Sequence, residues 1–160
     1  MRHPDAANLS SVTGLHFEQV QSAGGGAALH DWQRIHNLII PADPLSADEI
    51  VARAQRNHLE VAYLDGAAVG CSTVRPPASG TATATVIARV LPEHRRHGFG
   101  EQIYLRGLAK ARELGAQVIE TVILASNDDG LRFARHHGFI EIDRYVLPGD
   151  TTPFVDLRLA

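Results

Sequence analysis

Residues 84–101, Ala-Thr-Val-Ile-Ala-Arg-Val-Leu-Pro-Glu-His-Arg-Arg-His-Gly-Phe-Gly-Glu, limit the possible folds more than any other stretch. An apolar run from Val86 to Leu91, interrupted only by Arg89, stops at Pro92. Four basic residues come close behind (His94, Arg95, Arg96 and His97), then Gly98 and Gly100. Tyr104, Leu105, Leu108 and Ala111 then recur at helical spacing. The order is strand, basic glycine turn, helix. The first turn of a helix carries backbone N–H groups without internal partners, at the positive end of the dipole. Glycine allows a tight turn and a close approach of an anion to the main chain. Such a junction suits phosphate. A lone Gly-x-Gly serves equally as a plain loop beside solvated arginines. The arginines just ahead of the glycines, and the strand before them, favour phosphate.

The remaining sequence narrows the partners. Net charge is −3 over 160 residues, so no global basic field argues for nucleic acid. A local basic cluster suits a small anionic ligand better. The length fits one domain spanning 1–160, with 1–10 as a flexible lead-in that lacks the apolar core of a signal peptide. Nine histidines are scattered without metal-site spacing, so no metal is expected. The single Cys71 excludes an internal disulfide and suits a reducing, cytoplasmic setting. Its apolar surroundings mark it as a small core residue. No run approaches the ~18 apolar residues of a membrane helix, so no membrane partner is expected.

Along the chain, Val12 to Val20 reads as a first strand, broken by Gly24-Gly25-Gly26. Those glycines are a connector or a loop over a substrate. Ala28, Trp32, Ile35 and Ile39 form one apolar helix face, ended by Pro41 and Pro44. Trp32 reads as core or as groove lining. Ser46 and Glu49 make a capping box for a second helix reaching about Arg56. Leu59–Leu64 and Ala67–Val74 form a hairpin around Asp65-Gly66. Thr81 to Leu91 is the strand feeding the glycine turn, and the helix after it runs to about Leu114, capped by Gly115. Val118–Leu124 is a β-branched strand buried on at least one face. Ser126-Asn127-Asp128-Asp129 starts a helix over Leu131–His137, with Ser126 as a cap. Strands follow at Phe139–Val146 and Pro153–Leu159. This alternation predicts an α/β fold on a mixed sheet.

Arg95-Arg96-His97-Gly98-Phe99-Gly100 resembles the (Gln/Arg)-x-x-Gly-x-(Gly/Ala) signature of the GNAT N-acetyltransferase superfamily. Val90-Leu91-Pro92-Glu93 is similar to that family's Val-x-Pro-Glu lead-in. Further on, Asn127 and Leu131-Arg132-Phe133-Ala134-Arg135-His136-His137-Gly138-Phe139 resemble its Asn … Phe-Tyr-x-x-x-Gly-Phe ending. The resemblance implies a GNAT fold: a central mixed sheet of about seven strands, a splayed pair at 81–91 and 117–125, and about four helices. It implies acetyl-CoA as co-substrate. Backbone groups around Arg89 and Val90 would meet the pantetheine arm. The N–H groups of Arg96, His97, Gly98, Phe99, Gly100 and Glu101, helped by the Arg95 side chain, would hold the pyrophosphate. Asn127 would bond near the thioester, and Phe133 would pack on the cofactor.

The implied reaction is attack of a neutral amine, on a small molecule or a peptide, at the acetyl thioester. Two departures stand out. Ala134 occupies the place where many members carry a tyrosine acid, and Val122 the place where protein N-terminal acetylating members often carry a glutamate. Glu120 shares strand parity with Val122 and is the expected base, acting through water. Tyr145 and Ser126 are further hydroxyl candidates. The departures keep a second reading open: a GNAT-fold module that binds acyl-CoA with little or no catalysis, in sensing or assembly. A dinucleotide-binding reading lacks its third glycine. Asp31, Asp43, Asp48 and Glu49 are acidic positions in the region that lines an acceptor groove in this fold. Homodimerisation through the last strand, 152–159, is a further expectation.

Overall fold

The computed structural model describes residues 14–160. The expected lead-in and the start of the expected first strand lie outside the described residues. The elements run β1 (Leu15–Gln19), α1 (Ala27–Ile39), α2 (Ala47–Arg56), β2 (His58–Leu64), β3 (Ala67–Arg75), β4 (Thr83–Val90), a 3₁₀ turn (Pro92–His94), α3 (Phe99–Glu113), β5 (Val118–Leu124), α4 (Asp128–His136), β6 (Phe139–Tyr145) and β7 (Phe154–Leu159). The strands form one seven-stranded sheet in the order β1-β2-β3-β4-β5-β7-β6. β4 pairs β5 in parallel, whereas β1–β2, β5–β7 and β6–β7 are antiparallel. This is the expected mixed sheet with four helices.

Two details differ from the sequence reading. The chain after β4 forms a 3₁₀ turn, because Pro92 takes the first helical position, where its missing N–H costs nothing. α4 begins at Asp128 rather than Leu131, and its cap is Asn127, not Ser126. The expected face of α1, Ala28, Trp32, Ile35 and Ile39, packs on the core, and Leu29 and His36 widen it as further buried residues.

The chain divides into two compact units. The first comprises residues up to Ser72 with Ala88–Leu105, the second Thr73–Ile87 with Arg106–Ala160. In the first unit β2 has apolar cover on both faces. Leu59, Val61 and Tyr63 join Leu29, Trp32 and Ile35 of α1, Ile50 of α2, Cys71 and Leu91 in one core. Ala62 joins Val69 and the α3 residues Phe99 and Ile103 in a second. Two-sided burial is why β2 and β3 read as continuous apolar runs instead of alternating ones. The α2 capping box closes as expected, with Glu49 N–H donating to Ser46 Oγ at 3.2 Å and Ser46 N–H to Glu49 Oε1 at 3.0 Å.

In the second unit one sheet face is buried, through Ile119 and Thr121 of β5 and Val155 and Leu157 of β7. Helix α3 approaches closely at Gly107, where an added Cβ would lie 2.8 Å from Val86 Cγ1.

Trp32 anchors the first core. It is fully buried, and its indole Nε1–H donates to the Ser72 carbonyl at 3.1 Å. Trp32→Phe removes the donor while keeping a ring, so the Ser72 carbonyl loses this bond. The expected loss is about 0.5–1.5 kcal/mol, read as a lower urea midpoint with unchanged m-value. An unchanged midpoint would show that this bond contributes nothing.

Candidate functional site

The β4–β5 ladder pairs Thr83 with Val118, Ala84 with Ile119 and Thr85 with Glu120. β4 itself continues to Val90 and β5 to Leu124. In the first unit the end of β4 is tied by Leu91 N–H to the Val69 carbonyl at 2.9 Å. The chain then turns through the 3₁₀ segment, with His94 N–H donating to Leu91 O at 2.9 Å. Arg96 at φ 66° and Gly98 at φ 79° complete the reversal into α3. Glycine takes this left-handed conformation freely, whereas at Arg96 it costs ~1–2 kcal/mol. A strained arginine two residues before a left-handed glycine is what a sharp, constrained turn looks like.

Helix α3 starts at Phe99, and Gln102 N–H donates to Gly98 O at 3.3 Å. The N–H groups of Phe99 and Gly100 precede that bond and belong to the first-turn donors. The Phe99 ring is buried and packs with Ile103. It also stacks on His97, with centroids 5.7 Å apart. The turn is therefore anchored from below by an apolar side chain, while Arg96, His97 and Gly98 are exposed.

Arg95 does not point its Nε outward: it donates to the Val90 carbonyl at 3.0 Å. That carbonyl keeps a second lone pair. Arg89 Nη1 contacts His36 Nδ1 at 3.4 Å. A guanidinium has no acceptor, so Nδ1 must accept. The proton then sits on Nε2, which donates to the Asp43 carbonyl at 3.0 Å. Trp32 stacks on the same imidazole, centroids 5.3 Å apart and planes 10° apart. Burial first, then the Arg89 charge, pushes the His36 pKa below its usual 6.5. In the same unit Tyr63 donates to Asp31 Oδ2 at 2.7 Å, which commits one of the acidic candidates to the fold. Buried Trp32 is core, not groove lining.

The second unit carries the remaining expected site residues. Asn127 caps α4, its Oδ1 accepting from Gly130 N–H at 2.9 Å. Phe133 is half-buried against His137, centroids 4.4 Å apart. Ala134 is buried and offers no proton. Glu120 Oε2 accepts from Arg158 at 3.0 Å (Nε) and 2.6 Å (Nη2). Tyr145 donates to Asp156 Oδ1 at 3.2 Å. Sequence reasoning did not single out Arg158 or Asp156. The signal was present: Phe154, Asp156 and Arg158 alternate with Val155, Leu157 and Leu159, which gives β7 one polar-bearing face.

Among the described residues no group of three or more His, Cys, Asp or Glu side chains is placed to hold a metal ion. No helix among them is long and apolar enough to cross a membrane.

Comparison with known proteins gives a consistent fold. The family model described as "Acetyltransferase (GNAT) family" matches residues 27–139. No curated protein matches by sequence. Solved structures do. The Salmonella typhimurium protein yncA, solved with its cofactor acetyl-CoA, superposes with a TM-score of 0.70 at 17% identity, over 91% of this chain and 93% of its own. An N-acetyltransferase of Staphylococcus aureus Mu50 gives 0.71 at 16% identity, over 91% and 97%. A ribosomal-protein-alanine N-acetyltransferase of Brucella melitensis gives 0.71 at 18% identity, over 89% and 98%.

The His36 geometry predicts a pH dependence. The folded-state pKa lies below the unfolded value of 6.5, so this histidine's contribution to stability is full above pH 6.5. It declines as pH falls from 6.5 toward the folded value, because the unfolded chain binds the proton first. NMR titration of the imidazole should give a midpoint below 6.5, rising in Arg89→Ala. A wild-type midpoint at or above 6.5 would contradict the assignment.

Proposed function

Because the chain belongs to the GNAT acetyltransferase family, we propose that it transfers the acetyl group of acetyl-CoA to a primary amine by direct attack in a ternary complex. The observation that carries the cofactor half is the turn itself: Arg96 and Gly98 in the left-handed region, directly before the first-turn donors of α3. The N–H groups from Arg96 to Glu101 take the pyrophosphate, where the helix dipole favours negative charge. Arg95 stays on the Val90 carbonyl and stiffens the end of β4. The backbone of Arg89 and Val90 meets the pantetheine arm as an added strand would. Asn127 acts near the thioester and Phe133 against the cofactor.

The chemistry requires an unprotonated amine aligned with the thioester carbonyl, donors for the developing oxyanion, and a route for the amine proton. The amine nitrogen bonds to the carbonyl carbon, the C–S bond breaks, and CoA leaves as a thiolate. With Ala134 in place of a tyrosine, the thiolate takes its proton from water. A thiolate is stable enough near neutral pH to leave without a dedicated acid, and general acid help is typically worth ~10²–10⁴-fold. The acceptor is a small-molecule or peptide amine. The protein names of the structural neighbours cover both a ribosomal-protein alanine and unspecified acceptors.

Calorimetry should detect acetyl-CoA binding to the wild-type protein. A thiol assay should detect CoA release with at least one amine from a panel. Gly98→Glu places a carboxylate at the proposed phosphate position and a side chain at φ 79°, and binding should become undetectable. Retained affinity would remove the pyrophosphate assignment. Binding without turnover on any amine would favour the acyl-CoA-binding module instead.

A further inference from the structure

We propose that the amine proton is taken by Asp156, held by the phenol of Tyr145, so that the base sits one strand away from the position occupied by Val122. The assignment rests on the acetyl-transfer reading above. Its ground is the register of the second unit. Val122 of β5 pairs directly with Asp156 of β7. Directly opposed residues in an antiparallel ladder share a face, with Cβ atoms ~4.5–5.5 Å apart. A carboxylate missing from β5 is thereby replaced by one on the neighbouring strand, beside the same side-chain position. On that same face Glu120 pairs with Arg158, and Asp143 of β6 pairs with Asp156. The opposite face is the buried one, so the acceptor side is the half-exposed face that carries Asp156.

The two carboxylates of this face differ in their partners. Glu120 is bound through Oε2 by two N–H groups of Arg158. Both of those N–H groups converge on one carboxylate oxygen, so the side chain is held against β7 by its ion pair. Asp156 instead accepts from a neutral hydroxyl, Tyr145 Oη. Burial pushes its carboxyl above the usual range. The Tyr145 hydrogen bond and Arg75 of β3 pull it down, while Asp143 and Glu120 push it up. Burial and Asp156 likewise raise the Tyr145 phenol, which stays protonated and serves as a donor. Tyr145 stacks on Phe154, centroids 6.0 Å apart, so its hydroxyl is aimed by packing. A base works best with a pKa drawn toward the working pH, and Asp156 is the group so placed.

The step balances with this one residue. As the amine nitrogen bonds to the acetyl carbon, its proton passes to the Asp156 carboxylate, directly or through one water. The C–S electron pair leaves with sulfur. Solvent protonates the CoA thiolate, and Asp156 returns its proton to solvent. Tyr145 is a positioning residue.

The test measures CoA release against pH, and acetyl-CoA affinity by calorimetry, for wild type, D156N, Y145F and E120Q. In D156N, kcat should fall ~10²-fold or more, with acetyl-CoA affinity within twofold of wild type. In Y145F, loss of the hydrogen bond should move the acid limb of the kcat profile to higher pH, a shift that a purely structural role would not give. E120Q should lose less than D156N. Activity of D156N within twofold of wild type would overturn the assignment, as would an unmoved acid limb in Y145F or a greater loss in E120Q. A wild-type protein that binds acetyl-CoA but acts on no amine would overturn the transfer reading and this assignment with it.

Discussion

Main-chain hydrogen bonding along β4 is the constraint on which the neighbouring turn and strands depend. A strand needs partners for its N–H and C=O groups, or the buried ones cost free energy. β4 meets that need with β5 from Thr83 to Thr85, and at its far end through Leu91 N–H on Val69 and Arg95 Nε on Val90. Pro92 then ends the strand, and the reversal through Arg96 and Gly98 starts α3. The left-handed arginine costs more than a glycine would there. Its persistence means that neighbouring contacts, above all the buried Phe99 ring, determine the turn.

The first unit holds that turn on a rigid base. Core packing lies on both sides of β2, and α1 adds a polar network through it. Trp32 is bonded to Ser72, stacked on His36, and His36 is bonded in turn to Asp43 and contacted by Arg89. A buried network with every member partnered rigidifies its surroundings. It also takes the Arg89 side chain toward α1.

The second unit has a half-exposed polar face on one side of its strands and packing on the other. Alternation along β5 and β7 sorts Glu120, Val122, Asp156 and Arg158 from Ile119, Thr121, Val155 and Leu157. The familiar acid and base positions hold Ala134 and Val122. Beside Glu120, the polar groups of this face come from β6 and β7, brought next to β5 by antiparallel pairing.

The sequence alone determined the element order, the capping box at Ser46, the glycine turn and the family resemblance, because each rests on local chemistry: periodicity, caps and special φ angles. It also revealed that Ala134 and Val122 lack proton-handling groups. Only the tertiary structure decided which charges meet. Glu120 and Arg158, and His36 and Arg89, are brought together by strand register and helix packing across long stretches of chain, and Tyr145 and Asp156 by the register of the β6–β7 pair. No local pattern encodes a register between strands distant in sequence, since a one-residue slip reverses every face. Parity placed Glu120 on a face of β5, and only the β5–β7 register shows that its partner there is Arg158.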